Sequence, residues 1–164
     1  MKKISMLLVV LLSGLIGFSQ SMFLTAGPVR TDNPLGQPVL AYSIGISNSG
    51  SAHTGGGSGT GKANYQDLSV TMNTGRMSPD LIKSVALGTH FQEVVLSFYD
   101  EKQKMYYKIT LKEAMVTSYQ QGSSCGKKDC EAITENVTFT YAQIEYKDVV
   151  NNQSTSLSTI QGLN

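Results

Sequence analysis

Alternation with a period of two runs through most of this chain, and a polypeptide written that way is built for sheets. Successive side chains of a strand point to opposite faces, so apolar residues two apart line one side. Within Val39–Ile46 the set is Leu40, Tyr42, Ile44 and Ile46. Within Tyr65–Met72 it is Gln66, Leu68, Val70 and Met72, and within Phe91–Tyr99 it is Gln92, Val94, Leu96 and Phe98. Lys104–Leu111 follows with Met105, Tyr107, Ile109 and Leu111, after a polar turn at Asp100–Gln103. Ala114–Tyr119 reads as a further strand. Ile133–Tyr146 is the longest run, with Val137, Phe139 and Tyr141 on one face and Ala142, Ile144 and Tyr146 on the other. Apolar residues on both faces imply a strand that touches more than one layer.

One segment breaks the pattern. Ser78 suits a helix N-cap, Pro79 the first helical position, and Asp80 the positive end of the helix dipole. Leu81, Ile82, Val85 and Ala86 recur at helical spacing until Gly88 stops them. A helix this short needs a sheet or a barrel end to cover its apolar stripe. Many short strands and one short helix make the fold mainly β, a sheet closed into a compact barrel or packed as a sandwich. At 164 residues the chain has room for one such domain, placed at residues 20–147. Residues 20–37 are irregular apart from Met22-Phe23-Leu24, which can open a first strand. Residues 148–164 are polar and read as a frayed tail. Asn48–Gly61 is almost entirely Asn, Ser, Gly, Thr and Ala, too poor in apolar surface to order itself. The strands on either side of this loop can pair as a long hairpin.

The first nineteen residues read as an address. Met1-Lys2-Lys3 is a positive start, Met6–Phe18 is largely apolar, and Gly17 and Ser19 are small residues before a cut ahead of Gln20. The apolar stretch falls short of the roughly 20 residues that span a bilayer, so the reading is a cleaved signal peptide, with export to the periplasm or beyond and no membrane span afterwards. Removing Lys2 and Lys3 from the 13 basic residues leaves 11 against 12 acidic ones. A chain so close to neutral lacks the basic footprint of nucleic-acid binding. Export also bears on Cys125 and Cys130, which enclose four residues. An oxidising compartment favours a local disulfide. Free thiols remain open, and a metal would need two further ligands, which neither His53 nor His90 supplies from nearby sequence.

The search for catalytic chemistry finds nothing in the right context. Gly56–Lys62 reads G-G-S-G-T-G-K, but Ala63 stands where a phosphate loop needs Ser or Thr, and a strand begins where a helix should. His53 lies in the glycine loop with no orienting carboxylate near it in sequence, and His90 is a linker residue beside Phe91. Gly57-Ser58-Gly59 is no nucleophile elbow, and Asp100-Glu101 is a turn tip. The chain reads as non-enzymatic, with no cofactor and no metal.

The string YSIGISNSGS, a glycine tract and then GKANYQDLSVT resembles the early hairpin of the Hcp family of type VI secretion. SPDLIKSVALGTHFQEVVLSFYD resembles that family's single helix and the strand after it. YYKITLKEAMVTSYQQGSS and ENVTFTYAQIEYKD resemble its closing strands, in the family's order. The resemblance implies a compact β-barrel of two antiparallel sheets with one short α-helix alongside. It implies a homo-hexameric ring that stacks into a tube, contacts other proteins of the secretion apparatus and holds effector cargo in its lumen. It implies no catalytic residues. The loop from Asn48 through His53 and Gly56 to Lys62 is then the candidate ring contact. A signal peptide is not part of the family pattern. The competing expectation is therefore an exported monomeric barrel that binds a ligand and has no tube role.

Overall fold

The computed structural model describes residues 20–50, 61–123 and 132–159. Within them the chain forms ten strands and one helix: β1 (Ser21–Ala26), β2 (Gln37–Ser43), β3 (Ile46–Asn48), β4 (Ala63–Tyr65), β5 (Leu68–Asn73), α1 (Ser78–Leu87), β6 (His90–Tyr99), β7 (Met105–Gly122), β8 (Thr134–Thr140), β9 (Gln143–Asp148) and β10 (Gln153–Ser158). Eight of the strands form one antiparallel sheet in the order β10-β9-β7-β6-β1-β2-β5-β8, and β8 pairs again with β7. That last pairing closes β7-β6-β1-β2-β5-β8 into a six-stranded barrel, from which β9 and β10 continue as a flap. Closure removes the exposed strand edges within the ring.

The core fills the barrel and is built from the alternating residues. Leu68, Val70 and Met72 of β5 are fully buried, as are Val94 and Leu96 of β6, Leu111 of β7, Val137 and Phe139 of β8, and Ile144 of β9. Met77 and Leu81 bring α1 onto this core. Burying each such side chain stabilises by about 1.5–3 kcal/mol before its ordering cost.

β7 is one strand of 18 residues where the sequence reads as two. Its first half pairs with β6 and β9, and its second half with β8. Inward positions are Ile109 and Leu111 before Glu113 but Ala114 and Val116 after it. On β6 the inward set switches in the same place, from Phe91 to Val94, Leu96 and Phe98. The ladder stays in register across the switch, with Phe91 opposite Ala114 and Glu93 opposite Lys112. Glu113 carries a φ of 49°, so a single left-handed residue rotates the strand pair, interrupting the ladder only between Gln92 and Glu113 while the register holds on either side.

The long run Ile133–Tyr146 divides in the same way. β8 and β9 are separated at Tyr141–Ala142, and they pair with different halves of β7. The two apolar faces read from the sequence are therefore two strands in succession.

Three further expectations need correction. First, Leu40, Tyr42, Ile44 and Ile46 do not share a buried face. A bulge between Val39 and Ala41 changes the parity of β2. Val39 is buried while Leu40 is 54% exposed, and Tyr42 returns to the core side opposite Val70, at the barrel rim. Second, Ser78 is the first residue of α1 and not its cap; Met77 holds the cap position and Pro79 comes one residue further in. The Ser78 hydroxyl accepts a hydrogen bond from the Gly75 N–H at 2.9 Å, which ties down the entering turn instead. Gly88 does end the helix, at φ 63°. Third, the tail is not frayed through residue 158. β10 pairs with β9 from Gln153↔Asp148 to Ser158↔Gln143. Backbone hydrogen bonds hold a polar strand as well as an apolar one, which the composition does not reveal.

Candidate functional site

The hairpin that carries the glycine loop leaves the barrel as a separate two-stranded ribbon. β2 and β5 pair within the barrel. Beyond them β3 and β4 pair as Ile46↔Tyr65, Ser47↔Asn64 and Asn48↔Ala63. The Gln66 N–H donates to the Gly45 carbonyl at 2.9 Å, bridging barrel and ribbon. A side chain on Gly45 would meet the Gln66 side-chain amide, which would have to swing aside. The long hairpin expected from the sequence is thus present, with a break at its waist.

Of the candidate loop residues, Asn48 ends β3 and accepts the Gly50 N–H on its side-chain oxygen at 2.8 Å. Lys62 is exposed just before β4, and lines a shallow cleft of 240 Å³ with Tyr65, Asp67, Tyr141 and Thr159. His53 and Gly56 lie outside the described residues, as do Ser19, Cys125 and Cys130. Gln20 is exposed immediately ahead of β1, and its side-chain oxygen is 3.4 Å from the Tyr106 hydroxyl. His90 is the exposed first residue of β6, opposite Met115. Among the described residues, no three His, Cys, Asp or Glu come together to hold a metal. No described helix is long and apolar enough to cross a membrane.

Two tyrosines fasten the barrel. Tyr141, just after β8, donates to the Gln66 carbonyl at 2.9 Å and locks the seam to the base of the ribbon. Burial, reinforced by Tyr146 and Asp67 nearby, pushes its phenol up to about 12. Tyr119 donates to Glu135 at 2.6 Å. Glu135 is fully buried, and its second carboxyl oxygen has no hydrogen-bond partner among the described residues. Burial first, then the bond to Glu135, pushes the Tyr119 phenol up to about 12, and the Ser78 hydroxyl works the other way. The pair therefore sits between β7, β8 and the start of α1. Sequence reading missed it. The only signal was an acidic residue at an inward position of β8, two before Val137.

At the far rim Phe98 gathers Tyr42, Tyr106 and Tyr107, with ring centroids 5.2, 6.3 and 5.7 Å away. Burial raises the Tyr107 and Tyr146 phenols there. The flap next to this rim ends in β10, and no described strand lies against its outer edge from Gln153 to Leu157.

These features define a closed barrel whose distinctive parts are a projecting ribbon, a helix on its side and a free sheet edge, all suited to contacts between proteins. The chain belongs to the family described as "Type VI secretion system effector, Hcp", whose model matches residues 36–147. It is 43% identical over 87 residues to Protein hcp1 of Pseudomonas aeruginosa, covering 51% of this chain and 52% of that protein. The chain thus matches about half the length of this curated relative. The crystal structure of Hcp1 from Salmonella typhimurium superposes with a TM-score of 0.68 at 20% identity, over 84% of this chain and 92% of that one. A type VI secretion system effector from Yersinia pestis gives 0.68 at 15% identity, over 84% and 99%. The structural likeness confirms the mainly β barrel with one short helix.

Proposed function

We propose that this chain is a non-enzymatic, exported tube subunit of the Hcp type that assembles with copies of itself into hexameric rings able to hold effector cargo. The observation that carries the reading is the family match across residues 36–147, which spans β2 to β9, every strand of the barrel except β1. A closed barrel with one ribbon standing off it also suits a head-to-tail ring, in which each copy offers two different surfaces. The partners are other copies first, then secretion-apparatus proteins and cargo. The leader delivers the chain to the periplasm or the exterior, cleaved between Ser19 and Gln20, and Cys125 and Cys130 close a local disulfide there.

The test is the mass of the exported protein in solution by light scattering on a sizing column. A hexamer supports the ring. A monomer at every concentration overturns it in favour of an exported binding module. Sequencing the N-terminus of the exported product checks the cleavage site: a start at Gln20 is expected, and an intact Met1 counts against it.

A further inference from the structure

β10 is a strand that the hydrophobic effect does not account for. Its sequence is QSTSLS, its first four residues are exposed, and only Leu157 packs on the core. It is nevertheless pinned at both ends. At the start, the Asp148 carboxylate accepts the Asn151 N–H at 3.0 Å and the Asn151 side-chain amide at 2.7 Å. At the end, the Thr159 N–H donates to the Ala142 carbonyl at 2.8 Å, and the Thr159 hydroxyl lies 2.9 Å from the carbonyls of both Tyr141 and Ala142. The ladder to β9 runs through six residue pairs without a bulge. From Gln153 to Leu157 the outer edge holds no charge and no proline, and no described strand lies beside it. Natural edge strands are normally blunted by those devices, because alternate N–H and C=O groups otherwise stand ready to pair with another chain.

Among the described residues, the ribbon also has outer edges with no strand beside them. The ribbon of β3 and β4 has three residue pairs, and Ile46, Ser47 and Asn48 are all exposed. A two-stranded ribbon this short is marginal alone and gains from a third strand. The β3 edge is also uncharged.

We propose that β10 of one copy pairs through its outer edge with β3 in the ribbon of a second copy, adding a third strand to that ribbon. This deepens the ring reading and rests on it, because two different edges meeting head to tail form a heterologous contact of the kind that closes rings. Main-chain hydrogen bonds supply the affinity, as in β-strand addition. The pins at Asn151 and Thr159 hold the edge straight before contact, which lowers the ordering cost of docking.

The experiment combines hydrogen exchange with photo-crosslinking on the full chain exported from a bacterial host, compared as the assembled and the diluted, dissociated species. Alternate amides within 153–157 should slow at least about tenfold on assembly. A photo-crosslinker at Ser156 should capture residues 46–48 of another copy. S154K with S156K, at two exposed positions, should weaken assembly by about tenfold or more while the circular dichroism of the dissociated chain stays unchanged. I46K, on the opposing edge, should do the same. Assembly without protection of 153–157, protection already complete in the dissociated chain, or crosslinks to a different segment would each overturn the pairing while leaving the ring intact. Failure to assemble at any concentration would overturn the ring reading and the pairing together.

Discussion

At the scale of single residues, the polar groups inside the barrel decide more than their number suggests. Tyr119→Phe would leave Glu135 buried with neither carboxyl oxygen bonded to a described residue. We expect a loss of about 2 kcal/mol, because an unsatisfied buried group costs more than a lost hydrogen bond gains. Tyr141→Phe removes one bond to a backbone carbonyl and should cost about 1 kcal/mol. Urea denaturation of the two variants beside the parent checks both the values and their order. The same two phenols set a limit on alkaline stability. Their acidities lie near 12 in the fold, against 10.0 for a free tyrosine. The folded state thus binds these protons more tightly than the unfolded chain does. That stabilisation is complete below pH 10 and is lost as pH rises from 10 to 12. Ultraviolet titration of tyrosinate should show late-titrating phenols that Y119F and Y141F remove one at a time. Early titration of every phenol would refute the assignment.

At the scale of elements, the left-handed residue in β7 is the informative one. Glu113 stands at φ 49°, where a side chain costs roughly 1 kcal/mol and glycine does not. Glu113→Gly should therefore be neutral or stabilising by up to about 1 kcal/mol, while Glu113→Val should destabilise by at least as much. Thermal melts of the pair settle the sign. The same position explains how far the elements were legible in sequence. The alternation of β5 and β6 was readable because one face of each is buried without interruption from Leu68 to Met72 and from Val94 to Phe98. Where parity changes, at the bulge of β2 and at Glu113, the period-two reading put Leu40 on the wrong side and cut β7 in two. Local sequence does not encode such a change, since the partner strand decides where it falls. β10 escaped for another reason: its stability comes from backbone pairing and terminal pins, which leave no hydrophobic trace. Of the candidate contact loop, the hairpin base at Asn48 and Lys62 was readable. The Tyr119–Glu135 pair was not, because it depends on residues 16 apart across two strands.

At the scale of the whole molecule, the barrel closes through connections of very different reach. β6 and β7 are joined by a short turn in which the Asp100 carboxylate accepts the Lys102 and Lys104 N–H groups at 2.9 and 2.8 Å. The seam between β5 and β8 instead joins positions such as Thr71 and Asn136, 65 residues apart and bonded through their side chains at 2.6 Å. Bringing such distant segments together costs chain entropy before any contact repays it. Val94→Ala, within the β6–β7 hairpin that this turn joins, should slow refolding; Val70→Ala and Val137→Ala, at the seam, should mainly speed unfolding. Stopped-flow chevrons separate the two, and a seam variant that slows refolding as much as Val94→Ala would reverse the order. The seam thus acts as a clock. Until it shuts, the nascent molecule is an open sheet with two extra edges, and every second spent in that state is an opportunity for mispairing with a neighbour.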